Sequence, residues 1–307
     1  MKKTVTMAAA LLLGAMCAQA QTVTVLSAAQ LTDSAAYFPQ LSPDGTRLLY
    51  SNTEASRLAM RDVATGSETV VCDTGFPGFD ARFAPNGKVY YITQRRNAGN
   101  LIYRTGHEYD PATGRSRTVL KAQHGAVRPV ECSQGFALVG ESGSWTTGGN
   151  VGRGAYTAGA TVVTFSGKPK RATVQSPVSG SVGYLWASYS PDGTKLMFEA
   201  AAKGLYVIDF KRHTITNLGF YLMPSWLGND YVVAMTNNNS VVRHFNGYKI
   251  VLLGADGRFS HDVAPEGHIQ PSCRTVSIAP DGTTVGRVAY TTSHGTVSVQ
   301  QIEVKPN

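Results

Sequence analysis

The sequence predicts an all-β chain: a six-bladed β-propeller of four-stranded antiparallel blades, closed by a strand from the N-terminus. Three observations carry that expectation. A short apolar strand, a Pro-Asp-Gly turn and a second apolar strand recur along the chain, first as FPQLSPDGTRLLYSN at Phe38–Asn52. The turn glycines Gly45, Gly87, Gly135, Gly193 and Gly282, with Asp230 standing in for one, lie about 47 residues apart on average, near the period of a propeller blade. No long segment keeps a helical period.

Each element follows from local chemistry. Pro43 presets φ at the first turn position, Asp44 can bond the following backbone, and Gly45 tolerates the left-handed conformation that reverses the chain. The pattern returns at Asp80–Thr93, Ala187–Ala200 and Val276–Tyr290, and in degraded form at Arg128–Glu141 and Pro224–Thr236. After each hairpin a further apolar stretch, a polar turn such as Ala64-Thr65-Gly66 and a last strand complete a four-stranded meander. The sixth copy ends at Val297–Val304, one strand short. Val23–Leu26 is expected to complete it and so remove two exposed sheet edges.

The SPDG-x-x-L pattern, with its apolar-Pro-x-apolar lead-in at Phe38-Pro39-Gln40-Leu41, resembles the TolB-like propeller repeat. That family includes periplasmic TolB, the propeller domain of prolyl-oligopeptidase-like peptidases, and oligogalacturonate lyases. The resemblance spans most of Tyr37–Val304. It implies a propeller and, through TolB, protein or peptide partners in the cell envelope; through the lyases it implies an acidic saccharide. Neither the separate domain that TolB places before its propeller nor the hydrolase domain of the peptidases is expected here.

Residues 1–20 read as a secretory signal: Lys2 and Lys3, an apolar run, then Ala18-Gln19-Ala20 before the expected cleavage site. The remaining residues, 21–307, are expected to form one propeller domain in the periplasm or outside the cell. Without Lys2 and Lys3 the chain keeps 26 basic against 20 acidic residues, a net charge of +6 that forms no long run. That excludes a nucleic-acid-binding stripe and leaves an anionic partner open. Cys72, Cys132 and Cys273 fall too far apart in the repeat to pair, and all three read as small buried residues.

Ligands are expected on the face opposite the Pro-Asp-Gly turns, where loop lengths vary. The Gln94–Asn100 loop offers Arg95 and Arg96. The long Glu141–Ala160 loop offers Trp145, Arg153 and Tyr156, either as a flap or packed back on the ring. Seven positions before each turn glycine stand Phe38, Asp80, Arg128, Trp186, Met223 and Thr275. Of these, Asp80, Arg128 and Trp186 could ring the channel mouth, or pack and pair among themselves. No histidine spacing fits a metal site, no G-x-S-x-G marks a nucleophile, and no cofactor is expected. Two readings remain: an exported non-enzymatic module, expected to be monomeric, that binds an envelope protein or peptide; or a lyase-like or saccharide-binding propeller.

Overall fold

The computed structural model describes residues 21–141, 143–236, 248–265 and 267–306. Within them the chain forms seven sheets, so the expected six blades become seven. Blade 1 consists of β2 (Tyr37–Leu41), β3 (Arg47–Ser51), β4 (Leu58–Asp62) and β5 (Glu68–Cys72), preceded by β1 (Thr22–Gln30). Blade 2 is β6 (Arg82–Phe83), β7 (Val89–Arg96), β8 (Ile102–Asp110) and β9 (Arg115–His124). Two three-stranded blades follow. Blade 3 is β10 (Val127–Cys132), β11 (Gly135–Gly140) and β12 (Gly143–Thr146); blade 4 is β13 (Arg153–Ala158), β14 (Thr161–Ser166) and β15 (Ala172–Gln175).

Blade 5 is β16 (Tyr184–Tyr189), β17 (Lys195–Ala200), β18 (Gly204–Asp209) and β19 (Thr214–Gly219). Blade 6 is β20 (Tyr221–Leu227), β21 (Tyr231–Thr236), β22 (Ile250–Gly254) and β23 (Ser260–Ala264). Blade 7 takes β24 (Ile269–Ile278), β25 (Thr284–Thr291) and β26 (Val297–Lys305), and β1 pairs antiparallel along β26 as its outer strand. First and last strands thus share one sheet, and the ring has no free seam.

The extra blade lies in the stretch expected to be the Glu141–Ala160 loop. The chain there supplies the outer strand of blade 3 and then the inner strand of blade 4. Because blade 3 has only three strands, β13 starts beside the β10–β11 turn: Ser133 N donates to Arg153 O at 2.9 Å. It ends on the opposite face, where Gly159 O accepts from Tyr184 N at 3.3 Å. Blade 4 therefore runs inverted, and no Pro-Asp-Gly joins its first two strands. Counting turn glycines skips it.

Packing gives the same number. Middle strands are apolar on both faces, and alternation sends successive residues to opposite neighbours. Leu48 and Tyr50 pack on blade 7 while Leu49 packs on blade 2; Val233 and Met235 face blade 7 while Val232 and Ala234 face blade 5. Among the described residues seven such clusters lie one between each pair of adjacent blades. Blade 4 approaches its neighbour closely enough to require glycine: a Cβ on Gly154 would lie 2.3 Å from Phe165 Cζ and 2.9 Å from Cys132 Sγ.

The turns organise themselves. Asp44 Oδ1 accepts from Ser42 Oγ at 2.5 Å and from Thr46 N at 3.0 Å, and Gly45 adopts φ +69°. Ser190, Asp192 and Thr194 repeat the arrangement. Guanidinium groups of the preceding blades then fasten two of these turns: Arg287 Nη1 donates to Gly45 O at 2.6 Å, and Arg153 Nη1 donates to Gly193 O. Cys132 and Cys273 are buried free thiols, held at about 12 and about 11 chiefly by burial, as expected of packing residues. Cys72 differs: it is only half-buried and lines a groove.

Candidate functional site: the channel mouth

Five blades carry the same backbone irregularity at or just before the inner strand. Phe38, Asp80, Trp186, Met223 and Gln270 all have φ between +51° and +55°, a region that costs a non-glycine residue about 1–2 kcal/mol. In four of them the register shows a bulge: Phe38–Pro39 oppose Tyr50, Trp186–Ala187 oppose Phe198, Met223–Pro224 oppose Ala234, and Gln270–Pro271 oppose Tyr290. A bulge leaves one residue outside the ladder, which explains why proline is accepted at the second position. It also re-aims side chains at the start of each inner strand, around the mouth of the channel on the loop face.

Four of these five are residues that the spacing rule selected. Thr275 gives way to Gln270, because β24 is ten residues long and carries a second irregularity after Thr275, which together put Gln270 twelve positions rather than seven before Gly282. Thr275 lies near the turn face instead, and its Oγ1 accepts from Gly228 N at 2.7 Å. Arg128 sits in a regular ladder opposite Val139 and is half-buried. Gln270 closes the ring at this level, its Oε1 accepting from Phe38 N of blade 1 at 2.8 Å.

The segments leading into three blades expose large apolar side chains on the same face. Phe76 and Phe79 precede Asp80, Val182 and Leu185 precede Trp186, and Phe220 precedes Met223. Phe79 approaches Phe38 with ring centroids 6.4 Å apart, so this apolar surface continues into the mouth. Val182 is 82% and Phe220 59% exposed.

Deeper in the channel the lining changes to charge. Arg274 on β24 extends to Glu131 on β10, Nη2 to Oε2 at 3.2 Å, and its Nε donates to Leu41 O at 3.1 Å. Blades 7 and 3 are not adjacent, so this pair spans the channel. Arg82 on β6 lies within electrostatic reach of Asp80, Glu131 and Arg274. Burial presses its guanidinium below the ordinary value, and the two carboxylates work against that shift.

The other residues selected from sequence are dispersed. Arg95 and Arg96 end β7 and are exposed, with Arg96 Nη1 donating to Asn100 Oδ1 at 2.7 Å. Trp145 packs on Tyr90 with ring centroids 5.3 Å apart, and Tyr90 stacks on Phe136 at 4.3 Å, between blades 2 and 3. Tyr156 packs against Phe165. Arg153 lies on the turn face. Of the residues expected to bind a ligand, Asp80 and Trp186 take this positive-φ position, beside Phe38 and Met223. Phe76, Phe79, Val182, Leu185 and Phe220 escaped the sequence reading; their signal was apolar residues just ahead of each inner strand, where a connecting loop has no reason to carry them.

A groove of about 730 Å³ runs between blades 1 and 2, lined among others by Cys72, Tyr91, Thr93, Gln94, Arg95, Tyr103 and His107. Tyr91 and His107 stack at 4.9 Å, and burial lowers the His107 imidazole pKa. Among the described residues no three His, Cys, Asp or Glu side chains converge to hold a metal ion. His244 lies outside the described residues.

No protein-family profile and no curated protein sequence matches the chain. Solved structures do. A chain of a mitotic checkpoint complex aligns with TM-score 0.55 at 10% identity, covering 90% of this chain and 94% of its own. The U3-55K structure gives 0.53 at 11%, covering 89% and 98%. TolB from Acinetobacter baumannii gives 0.50 at 17%, covering 75% of this chain and 54% of its own. The chain is a β-propeller, consistent with the TolB-like resemblance of its repeats. It matches about half the length of that TolB chain. At these identities the likeness concerns the fold, and function has to be argued from the site. No helix among the described residues is long and apolar enough to cross a membrane.

Proposed function

We propose that this propeller is a non-enzymatic binding module, exported to the bacterial cell envelope by residues 1–20, which takes a protein or peptide partner on its loop face. Residues 21–307 act as one domain in this reading. The observation that carries it is the apolar rim: Phe76, Phe79, Val182, Leu185 and Phe220 stand exposed beside the half-buried Phe38, Trp186 and Met223. Large apolar side chains gathered around a concavity mark interaction sites, and removing them from water supplies roughly 25 cal/mol per Å². Leu185, Phe38, Trp186 and Met223 lie on strands, so that part of the rim would meet a partner as a preformed surface.

The reading is tested by display of a random peptide library. Wild type and the opposite-face variant Phe210→Asp should retain the same peptides, whereas the double variant Phe79→Asp/Leu185→Asp, with an unchanged melting profile, should lose them. Equal retention by all three proteins contradicts the proposal.

A second reading, an acidic saccharide, draws on the groove between blades 1 and 2. Tyr103 and His107 offer rings there, Thr93, Thr105 and Ser116 offer hydroxyls, and Arg95 offers a cation. Calorimetric titration with oligogalacturonates tests it: heat lost on Arg95→Gln supports the groove, and no heat from wild type refutes it.

A further inference from the structure

Arg82 is the feature of the channel that the fold leaves unexplained. Its side chain is half-buried among the inner strands, and among the described residues its one hydrogen-bond acceptor is the carbonyl of the preceding residue, Ala81, at 3.0 Å from Nη1. A guanidinium carries five N–H donors, so four remain for something else. The nearby acids do not take them. Glu131 is bound to Arg274, and among the described residues Asp80 forms no ion pair within 4.0 Å. Two guanidinium groups stand against two carboxylates, which lets the channel keep this cluster without a ligand while the remaining Arg82 donors stay open to solvent.

We propose that Arg82, backed by the charge of Arg274, receives a carboxylate, and that this carboxylate is the C-terminal end of the bound polypeptide. The inference rests on the peptide-binding reading and names what the channel takes from the peptide. A planar guanidinium matches a carboxylate with two parallel hydrogen bonds. Depth selects a chain end. Arg82 lies two residues below the rim residue Asp80, roughly 6–7 Å along the strand. A terminal carboxylate reaches that level with its last side chains resting on the apolar rim. An internal Asp or Glu would have to bring two chain segments into the ring. Asp80 then accepts an N–H of the peptide's last residues.

The test uses the whole protein and two random octapeptide mixtures, one with free C-terminal carboxylates and one C-terminally amidated, with N-acetylglycine as the small carboxylate. Wild type should retain the free acids about 10- to 100-fold better than the amides, the value of a charge-assisted pair. Arg82→Gln should abolish that preference while still retaining peptides through the rim. Arg82→Lys, which keeps the charge and loses the fork, should restore part of it. Folding of both variants is checked by melting.

Equal retention of acids and amides by wild type overturns the carboxylate site and leaves the rim reading intact. N-acetylglycine binding as tightly as the octapeptides overturns the assignment to a chain end. Retention of neither mixture overturns the peptide reading and this inference with it.

Discussion

Arg274 and Glu131 meet across the central channel at 3.2 Å although blades 7 and 3 are not neighbours, so one ion pair ties opposite sides of the ring. Most contacts in a propeller join adjacent blades. A strut across the middle resists a different motion, the widening of the ring. Both side chains are partly exposed, at 22% and 37%, so the pair itself should contribute only about 1 kcal/mol. A double-mutant cycle with Arg274→Met and Glu131→Gln, followed by urea unfolding, should give that coupling, weakened at high salt. Arg274→Met should cost more than Glu131→Gln, because it also empties the Leu41 carbonyl.

Glu108 lies almost fully buried on β8. Burial opposes its charge, but hydrogen bonds from Arg117 Nε at 2.8 Å, Tyr90 Oη at 2.5 Å and Lys88 Nζ at 3.0 Å prevail and hold the carboxyl at about 2. A carboxyl below its unfolded value of 4.5 stabilises the fold above that pH, and the stabilisation drains away as pH falls toward 2. Glu108→Gln should lose roughly 2 kcal/mol at pH 7 and show a flatter stability profile between pH 4.5 and 2. Urea unfolding at pH 7 and pH 3 measures both.

Glu199 on β17 behaves in the opposite sense. It is buried, its Oε2 has no hydrogen-bond partner among the described residues, and burial raises its pKa above 4.5. The folded state therefore holds this proton more tightly than the unfolded chain, and stability falls as pH rises above 4.5. Glu199→Gln should remove that decline and gain about 1 kcal/mol at pH 7, read from melts across pH 4–8.

Gly154→Val tests the seventh blade. A side chain there must displace Phe165 and Cys132 between blades 3 and 4, at a cost of about 2–3 kcal/mol. A residue in a solvent-exposed flap would accept valine with a loss under 0.5 kcal/mol. Thermal melting separates the two.

Much of the architecture was legible because the turn chemistry is local. Ser42, Asp44, Gly45 and Thr46 bond among themselves, and such a unit reads the same wherever it occurs. Ring closure was legible too, since Val23–Leu26 alternates without a local partner and a missing strand needed one. The blade count failed where the local signal was absent. Thr161–Ser166 is a buried middle strand as apolar as Arg47–Ser51, but Gly159-Ala160 replaces Pro-Asp-Gly and the blade runs inverted. Counting buried middle strands would have found seven.

The site was harder to read for a physical reason. Asp80 and Trp186 emerged because the positive-φ residue keeps a fixed distance from the turn where the inner strand is shorter, and that rule broke at Thr275, where the ten-residue β24 puts Gln270 twelve positions before Gly282. Arg82 and Arg274 gave no signal, since their meaning depends on three strands far apart in sequence converging on one channel. Trp145 and Tyr156 looked available only while their strands were taken for a loop.

The loop face as binding surface is tested most directly by site-specific photo-cross-linking in the native cell envelope. Benzoylphenylalanine placed at Phe79, on the rim, should capture a polypeptide, while the same group at Phe210, equally apolar but on the turn face, should capture none. Capture at Phe210 with none at Phe79, or equal capture at both, would contradict the account.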